Sequence, residues 1–244
     1  MKKILLIQSR ERPDTLLAEQ RGFRREVPLA VQLDFLSALD TSHDWNTPAS
    51  IVAGYDALMF GGSGEFDLHG NRDESDAARK TARDILSRLQ PLIAHIILSD
   101  FPTFGVCFGH QLIAEAQGGN IVSDADQKKT GSFEVMVTEI GAQDSLFAST
   151  GASFVAQYAH RDSVTSQPRG SALLASGVAC RFSALRYGEH VYTTQFHPEL
   201  TRADMLERFT LAPGYLPDGV DPESIVRDSS VASTLIRSFV ENIA

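Results

Sequence analysis

The segment Gly105-Val106-Cys107-Phe108-Gly109 constrains this chain more than any other. It follows a short apolar run, residues 102–106, and leads into a helical stretch, residues 111–117, that Gly118-Gly119 stops. A cysteine with glycine two residues away on each side, at a strand-to-helix junction, has the spacing of a nucleophile elbow. The glycines have a steric reason, because side chains at those positions would collide with neighbouring backbone on so sharp a turn. The turn lifts the thiol to the top of a sheet, at a helix N-terminus whose dipole favours thiolate. The next amide, on Phe108, is then placed to donate to an oxyanion. The same five residues also fit a buried cysteine in an incidental turn, so the rest of the chain must decide.

The surrounding pattern suits such a junction. Residues 2–8 read as a buried first strand, 13–27 as a helix, 31–36 as a second strand and 56–60 as a third. The third runs into Gly61-Gly62-Ser63-Gly64, a tight loop. Residues 74–97 read as a helix, with Ile85, Leu89, Leu92, Ile93 and Ile96 at three- and four-residue spacing. Pro91 is expected to kink or split it. The chain then turns strand-rich, over 120–122, 132–138, 154–158, 172–175, 180–186 and 190–195. It ends in helices over 202–209 and 222–242, with a Pro- and Gly-containing loop at 212–219. This predicts an α/β fold with an open, mostly parallel sheet flanked by helices, a strand-rich second half, and ligands at the carboxyl ends of the strands. No boundary or repeat interrupts the pattern, so 1–244 is expected to be a single domain.

Composition narrows the function classes. Hydrophobic residues make up 43% of 244, enough for a sizeable core. The net charge of -9, with no dense Lys/Arg cluster, argues against nucleic acid as a partner. No stretch has the length to cross a bilayer, and Ile4-Leu5-Leu6-Ile7 is too short for a signal-peptide core, so no membrane and a cytoplasmic location are expected. The two cysteines, Cys107 and Cys180, make neither a disulfide framework nor a CxxC pair. Cys180 reads as core in a strand. His43, His69, His95 and His190 have no metal-ligand spacing, so no metal is expected.

Two further segments carry chemistry. Gln195-Phe196-His197-Pro198-Glu199 follows a strand. A cysteine nucleophile needs a base, and the base needs an orienting acceptor. His197 and Glu199 supply both within one turn of chain, and Pro198 stiffens the link. Alone, this is also an ordinary His-Pro surface loop. Gly61-Gly62-Ser63-Gly64 leaves backbone N–H groups unobstructed after a strand, but it lacks the Lys-Ser/Thr of a phosphate-binding loop. His160 is a competing base without so natural a carboxylate partner, and His110 fits the packed side of the helix.

In this order, the three segments resemble the class I, or triad-type, glutamine amidotransferase family, most strongly the glutaminase domain of GMP synthases. Tyr158-Ala159-His160-Arg161-Asp162-Ser163-Val164 resembles a segment that lies over the glutamine site in that family. The likeness spans residues 2–200, which would form the family core, with 201–244 a helical C-terminal extension. Ser63 departs from the family, where Pro is common. The resemblance implies Cys107 as nucleophile, His197 as base and Glu199 as its orienter. It implies an oxyanion hole from the amides of Gly62 and Phe108, and substrate contacts at Gly64, Gln111, Arg161 and Asp162. The implied reaction converts glutamine to glutamate and ammonia through a γ-glutamyl thioester, with no cofactor. It either stands alone or serves a separate, ATP-dependent synthetase. The alternatives are a free-standing hydrolase of γ-glutamyl amides or peptides and a non-catalytic binding module of the same fold.

Overall fold

The computed structural model describes residues 1–178 and 180–243. The N-terminal apolar run forms β1 (Lys3–Gln8), with Ile4, Leu5, Leu6 and Ile7 all buried. Such a continuous apolar strand belongs in a parallel sheet covered on both faces. Then come α1 (Pro13–Glu26), β2 (Gln32–Ser37), a short unforeseen α2 (Pro48–Val52), β3 (Ala57–Phe60) and α3 (Ala77–Ser99). Asp76 caps α3 by accepting from the amides of Ala78 and Arg79. Pro91 lies inside α3, yet the helix is not split. A mid-helix proline costs about 3 kcal/mol. Full burial of Ile85, Leu89, Leu92, Ile93 and Ile96 outweighs this at roughly 1.5–3 kcal/mol for each.

β4 (Thr103–Val106) and α4 (Phe108–Ala116) follow, with Cys107 as the only residue between them. The helix therefore starts earlier than the expected residue 111, since one residue turns the corner. Next are β5 (Ile121–Ser123), β6 (Lys129–Val137), α5 (Glu139–Ala142), β7 (Ser153–His160), β8 (Asp162–Val164), β9 (Ser171–Gly177), β10 (Cys180–Tyr187) and β11 (Val191–Thr194). The chain closes with α6 (Arg202–Leu211), α7 (Pro222–Ile225) and α8 (Ser230–Asn242). The single helix expected over 222–242 is thus two. Side chains capture the backbone of Arg227 instead: its N–H donates to Ser132 Oγ at 2.8 Å and its carbonyl accepts from Gln157 Nε2 at 2.9 Å.

Among the described residues one sheet runs β2-β1-β3-β4-β11-β10-β9-β6-β7, and β5 and β8 form a separate pair. Strands β2 to β11 in that order are parallel, and the strand-rich second half continues the sheet antiparallel from β10 onward. One face carries Ile4, Leu6, Phe23, Phe104, Phe196 and Phe239, under α1 and α8. The other carries Leu5, Ile7, Ile85, Leu92 and Leu112, under α3 and α4. Alternate β1 residues thus feed opposite cores, as strand geometry requires. Among the described residues, no helix is long and apolar enough to cross a membrane.

Candidate active site

Cys107 has φ 51° and ψ −96°, a conformation an L-residue adopts only under constraint. The constraints are visible. Its N–H donates to Thr194 O at 2.7 Å, and the N–H of Gly109 donates to Gly61 O at 3.1 Å. A Cβ on Gly109 would lie 2.5 Å from Phe60 Cβ and 2.8 Å from Phe60 O. A Cβ on Gly105 would meet Thr193 Cγ2 at 3.1 Å and the carbonyl carbon of Gly109 at 3.2 Å. The two glycines therefore let β3, β4, β11 and α4 close around the elbow.

β11 delivers the second group. Beyond Thr194 the chain is pinned by the His197 N–H, which donates to Gln157 O at 2.8 Å. His197 Nδ1 lies 2.7 Å from Glu199 Oε1. With Glu199 ionised, Nδ1 carries the proton and Nε2 keeps its lone pair. A Cβ on Gly62 would lie 3.1 Å from His197 Cε1 and 3.6 Å from Cys107 Cβ. Imidazole and cysteine thus pack against the same glycine. Cys107, His197 and Glu199 are all buried, at 3%, 1% and 0% exposure.

Burial sets the resting protonation. It pushes the Cys107 thiol up to about 12, although Arg208 and Arg10 pull the other way. Loss of water thus opposes the thiolate that the helix end favours. Burial also lowers His197 to about 4 against the upward pull of Glu199. Burial raises Glu199, but the adjacent His197 and its hydrogen bond outweigh this and leave the carboxyl below its ordinary value. Burial thus favours a neutral thiol and a neutral imidazole, while the hydrogen bond to His197 favours the Glu199 carboxylate.

The two amides expected to face an oxyanion are unequally free. Phe108 is the first residue of α4, so its amide is among those a helix leaves without an internal partner. The amide of Gly62 sits beside the cysteine but donates to Glu19 Oε1 at 3.0 Å. Glu19, from α1, is buried, accepts from Gln8 Nε2 at 2.8 Å and lies 2.9 Å from Arg10 Nε. Gly61 makes room for it, since a Cβ there would lie 2.7 Å from the carboxylate.

The expected substrate residues divide between two spaces. Gln111, Arg161 and Asp162 line a small pocket over Cys107 together with Ser63, His160 and Tyr215. It has room for about one water molecule. Gln111 Nε2 donates to Asp162 O at 2.7 Å. The Asp162 carboxylate is occupied by the amides of His69 and Gly70 at 2.8 and 2.7 Å, so it clamps the loop after β3. Arg161 lies 3.3 Å from Asp67 and its guanidinium stacks 4.6 Å from the centre of the Tyr215 ring. Gly64 lies apart from them, in an adjoining cleft between α1 and α6. His160 lines the cysteine pocket, but both ring nitrogens lack a hydrogen-bond partner among the described residues, and burial lowers it to about 3. His110 is core, with Nδ1 on Thr193 Oγ1 at 2.8 Å.

Sequence reasoning missed four groups: Arg10, Glu19, Arg208 and Tyr215. Arg208 donates to His197 Nε2 at 3.0 Å, and Tyr215 borders both the pocket and the cleft. They lie in α1, just before it, or beyond residue 200, where no motif marks them. A local sign was the Thr201–Asp204 capping box, which starts α6 and aims one of its faces at His197.

Elbow, histidine–carboxylate pair and sheet order bring Cys107, His197 and Glu199 together on an open α/β sheet. The family model for glutamine amidotransferase class-I matches residues 70–210. The chain belongs to that family. It is 35% identical over 107 residues to a glutamine-hydrolyzing GMP synthase subunit from Methanococcus maripaludis, over 43% of this chain and 54% of that protein. It is 32% identical over 123 residues to the counterpart from Methanococcus aeolicus, over 48% of this chain and 63% of that one. The match thus spans between half and two thirds of these relatives' length. In three dimensions the chain is similar to a glutamine amidotransferase from Thermotoga maritima, with a TM-score of 0.74, 17% identity and coverage of 99% and 97%. One from Methylobacillus flagellatus gives 0.68, 20% identity, and 98% and 92%.

Proposed function

We propose that the protein hydrolyses the side-chain amide of glutamine, or of a close γ-glutamyl relative, through a thioester on Cys107. The observation that carries this is the packing of Cys107 and His197 against one glycine, with Glu199 2.7 Å from the far side of the ring. In the reaction, His197 takes the thiol proton and sulfur attacks the amide carbon. The oxyanion faces the Phe108 amide, joined by that of Gly62 once it is released from Glu19. His197 returns the proton to departing ammonia. Water, deprotonated by His197, then cleaves the thioester to glutamate and the free thiol. Gln111 and Arg161 hold the substrate in the pocket, and Asp162 holds the loop that walls it.

On this reading residues 1–244 work as one unit, and the 201–244 extension is part of the site. The ammonia serves a separate ATP-dependent synthetase, a role suggested by the GMP synthase relatives. The alternative is a free-standing γ-glutamyl hydrolase, suggested by Tyr215, which walls the pocket, and Arg208, which reaches His197, both from within the chain. The test offers purified protein glutamine and a panel of γ-glutamyl compounds, and follows ammonia or amine release for wild type and Cys107→Ala. Activity that survives in Cys107→Ala refutes the thioester. Faster turnover of a γ-glutamyl compound than of glutamine, without partner, selects the alternative.

A further inference from the structure

Two cations face the nucleophile and base from elements that the family motifs do not include. Arg10 leaves the end of β1 and is 4% exposed. Its Nε approaches Glu19 without alignment, and its Nη2 has no hydrogen-bond partner among the described residues. The same Nη2 lies 3.3 Å from where a Gly62 Cβ would be, the position bounded by His197 and Cys107. From the other side, α6 brings Arg208, whose one side-chain hydrogen bond among the described residues goes to His197 Nε2. Both guanidinia line the cleft between α1 and α6, with Gly64 and Tyr215.

The acidic side chains of that cleft are engaged elsewhere. Glu65 accepts from the amides of Glu11 and Arg12 and from Thr15 Oγ1. Asp204 pairs with Arg25 and Glu207 with Arg21. Glu19 offsets one of the two guanidinium charges; the Glu199 carboxylate hydrogen-bonds His197 and gives neither guanidinium a hydrogen bond, although its charge favours both. A buried donor left without an acceptor costs roughly 1–3 kcal/mol, and more when charged. A planar anion with two acceptor oxygens would satisfy both forks.

We propose that Arg10 and Arg208 form a recognition site for the carboxylate of the substrate, and that its arrival draws Arg208 off His197. This rests on the reading that Cys107 attacks an amide. A carboxylate is a stronger acceptor for guanidinium than a neutral imidazole. Once Arg208 moves to it, the Nε2 lone pair is free for the thiol proton. An amide without a nearby carboxylate leaves the base occupied. The substrate class is therefore a carboxamide that carries a free carboxylate a few bonds away, which glutamine and γ-glutamyl compounds do.

The test uses two reagents that alkylate the same thiol and differ in charge, iodoacetate and iodoacetamide, with modification of Cys107 read by peptide mass. Relative to free cysteine, the full-length wild type should favour iodoacetate by roughly tenfold or more. That preference should collapse in Arg208→Met and largely return in Arg208→Lys, whose charge remains. Arg208 lies on a partly exposed helix, so both variants keep the core intact. In parallel, kcat/KM should favour glutamine over its α-carboxamide by roughly tenfold or more, and Arg208→Met should erase this mainly through KM. A wild-type alkylation ratio equal to that of free cysteine, or one unchanged in Arg208→Met, overturns the proposal. If the ratios behave as stated but no amide is hydrolysed, the anion site stands and the hydrolase reading falls.

Discussion

Cys107 and Cys180 are the same residue in nearly the same degree of burial, at 3% and 4% exposure. Burial pushes both thiols up, to about 12 and about 11. Neither number separates them. The backbone and the neighbours do. Cys107 is forced to positive φ between β4 and α4, and His197 stands against the glycine beside it. Cys180 begins β10 without a positive φ, in the buried core with Tyr158 and near Lys129 and Phe133. The proposed nucleophile is thus marked by strain and by a neighbouring histidine with its own acceptor, whereas burial alone describes core.

The largest effect should separate the two thiols directly. Cys107→Ala should lower amide hydrolysis by roughly 10⁴-fold or more, while Cys180→Ala stays within about twofold, as measured by ammonia release. Equal losses would erase the distinction. A smaller effect tests the acceptor: Glu199→Gln keeps shape but lets the imidazole take the wrong tautomer. It should cost roughly 10²- to 10⁴-fold in kcat with Cys107 still present. Next comes the elbow's steric requirement. Gly109→Ala drives a methyl into Phe60 and should lower unfolding stability by about 1–3 kcal/mol in a denaturant titration. A Gly177→Ala control beside Cys180, where the nearest atom is 3.4 Å away, should cost less.

The most diffuse effect, spread over three buried histidines, is pH. Burial holds His197 at about 4, and His110 and His160 at about 3, below their ordinary value near 6.5. The unfolded chain therefore binds more protons than the folded one between these limits. Stability from the neutral histidines is present above about 6.5 and drains away as pH falls toward 3–4. Each such histidine contributes about 1 kcal/mol per pH unit in that window. Melting temperature should fall on acidification, and His160→Gln should flatten the slope. A melting temperature unchanged from pH 7 to pH 5 would show that these rings are not held neutral by the fold.

Much of this was legible in the chain. The elbow glycines, the His197–Glu199 pair and the strand before Gly61 each state a local steric or hydrogen-bonding requirement, and local requirements can be read from a few consecutive residues. The continuous apolar runs of β1 and β3 likewise announce strands covered on both sides. Two helix boundaries came out differently from the local pattern. Pro91 does not split α3, because five buried apolar side chains hold the helix on the sheet. The last helix breaks at Arg227, because Ser132 and Gln157, about seventy or more residues away, take its backbone groups. In both, tertiary contacts outweigh a propensity worth a few kcal/mol at most.

The sequence alone determined which thiol sits on a strained turn and which histidine has a carboxylate two residues on, since steric exclusion and chain stiffness act within one short segment. It could not determine what surrounds them. Arg10, Glu19, Arg208 and Tyr215 come from opposite ends of the chain and meet only because α1 and α6 pack side by side above the sheet. Charge interactions depend on distance through space and on exclusion of water, and only the folded arrangement supplies either. The protonation of Cys107, the occupation of the Gly62 amide and the partner of His197 Nε2 were therefore decided by tertiary structure.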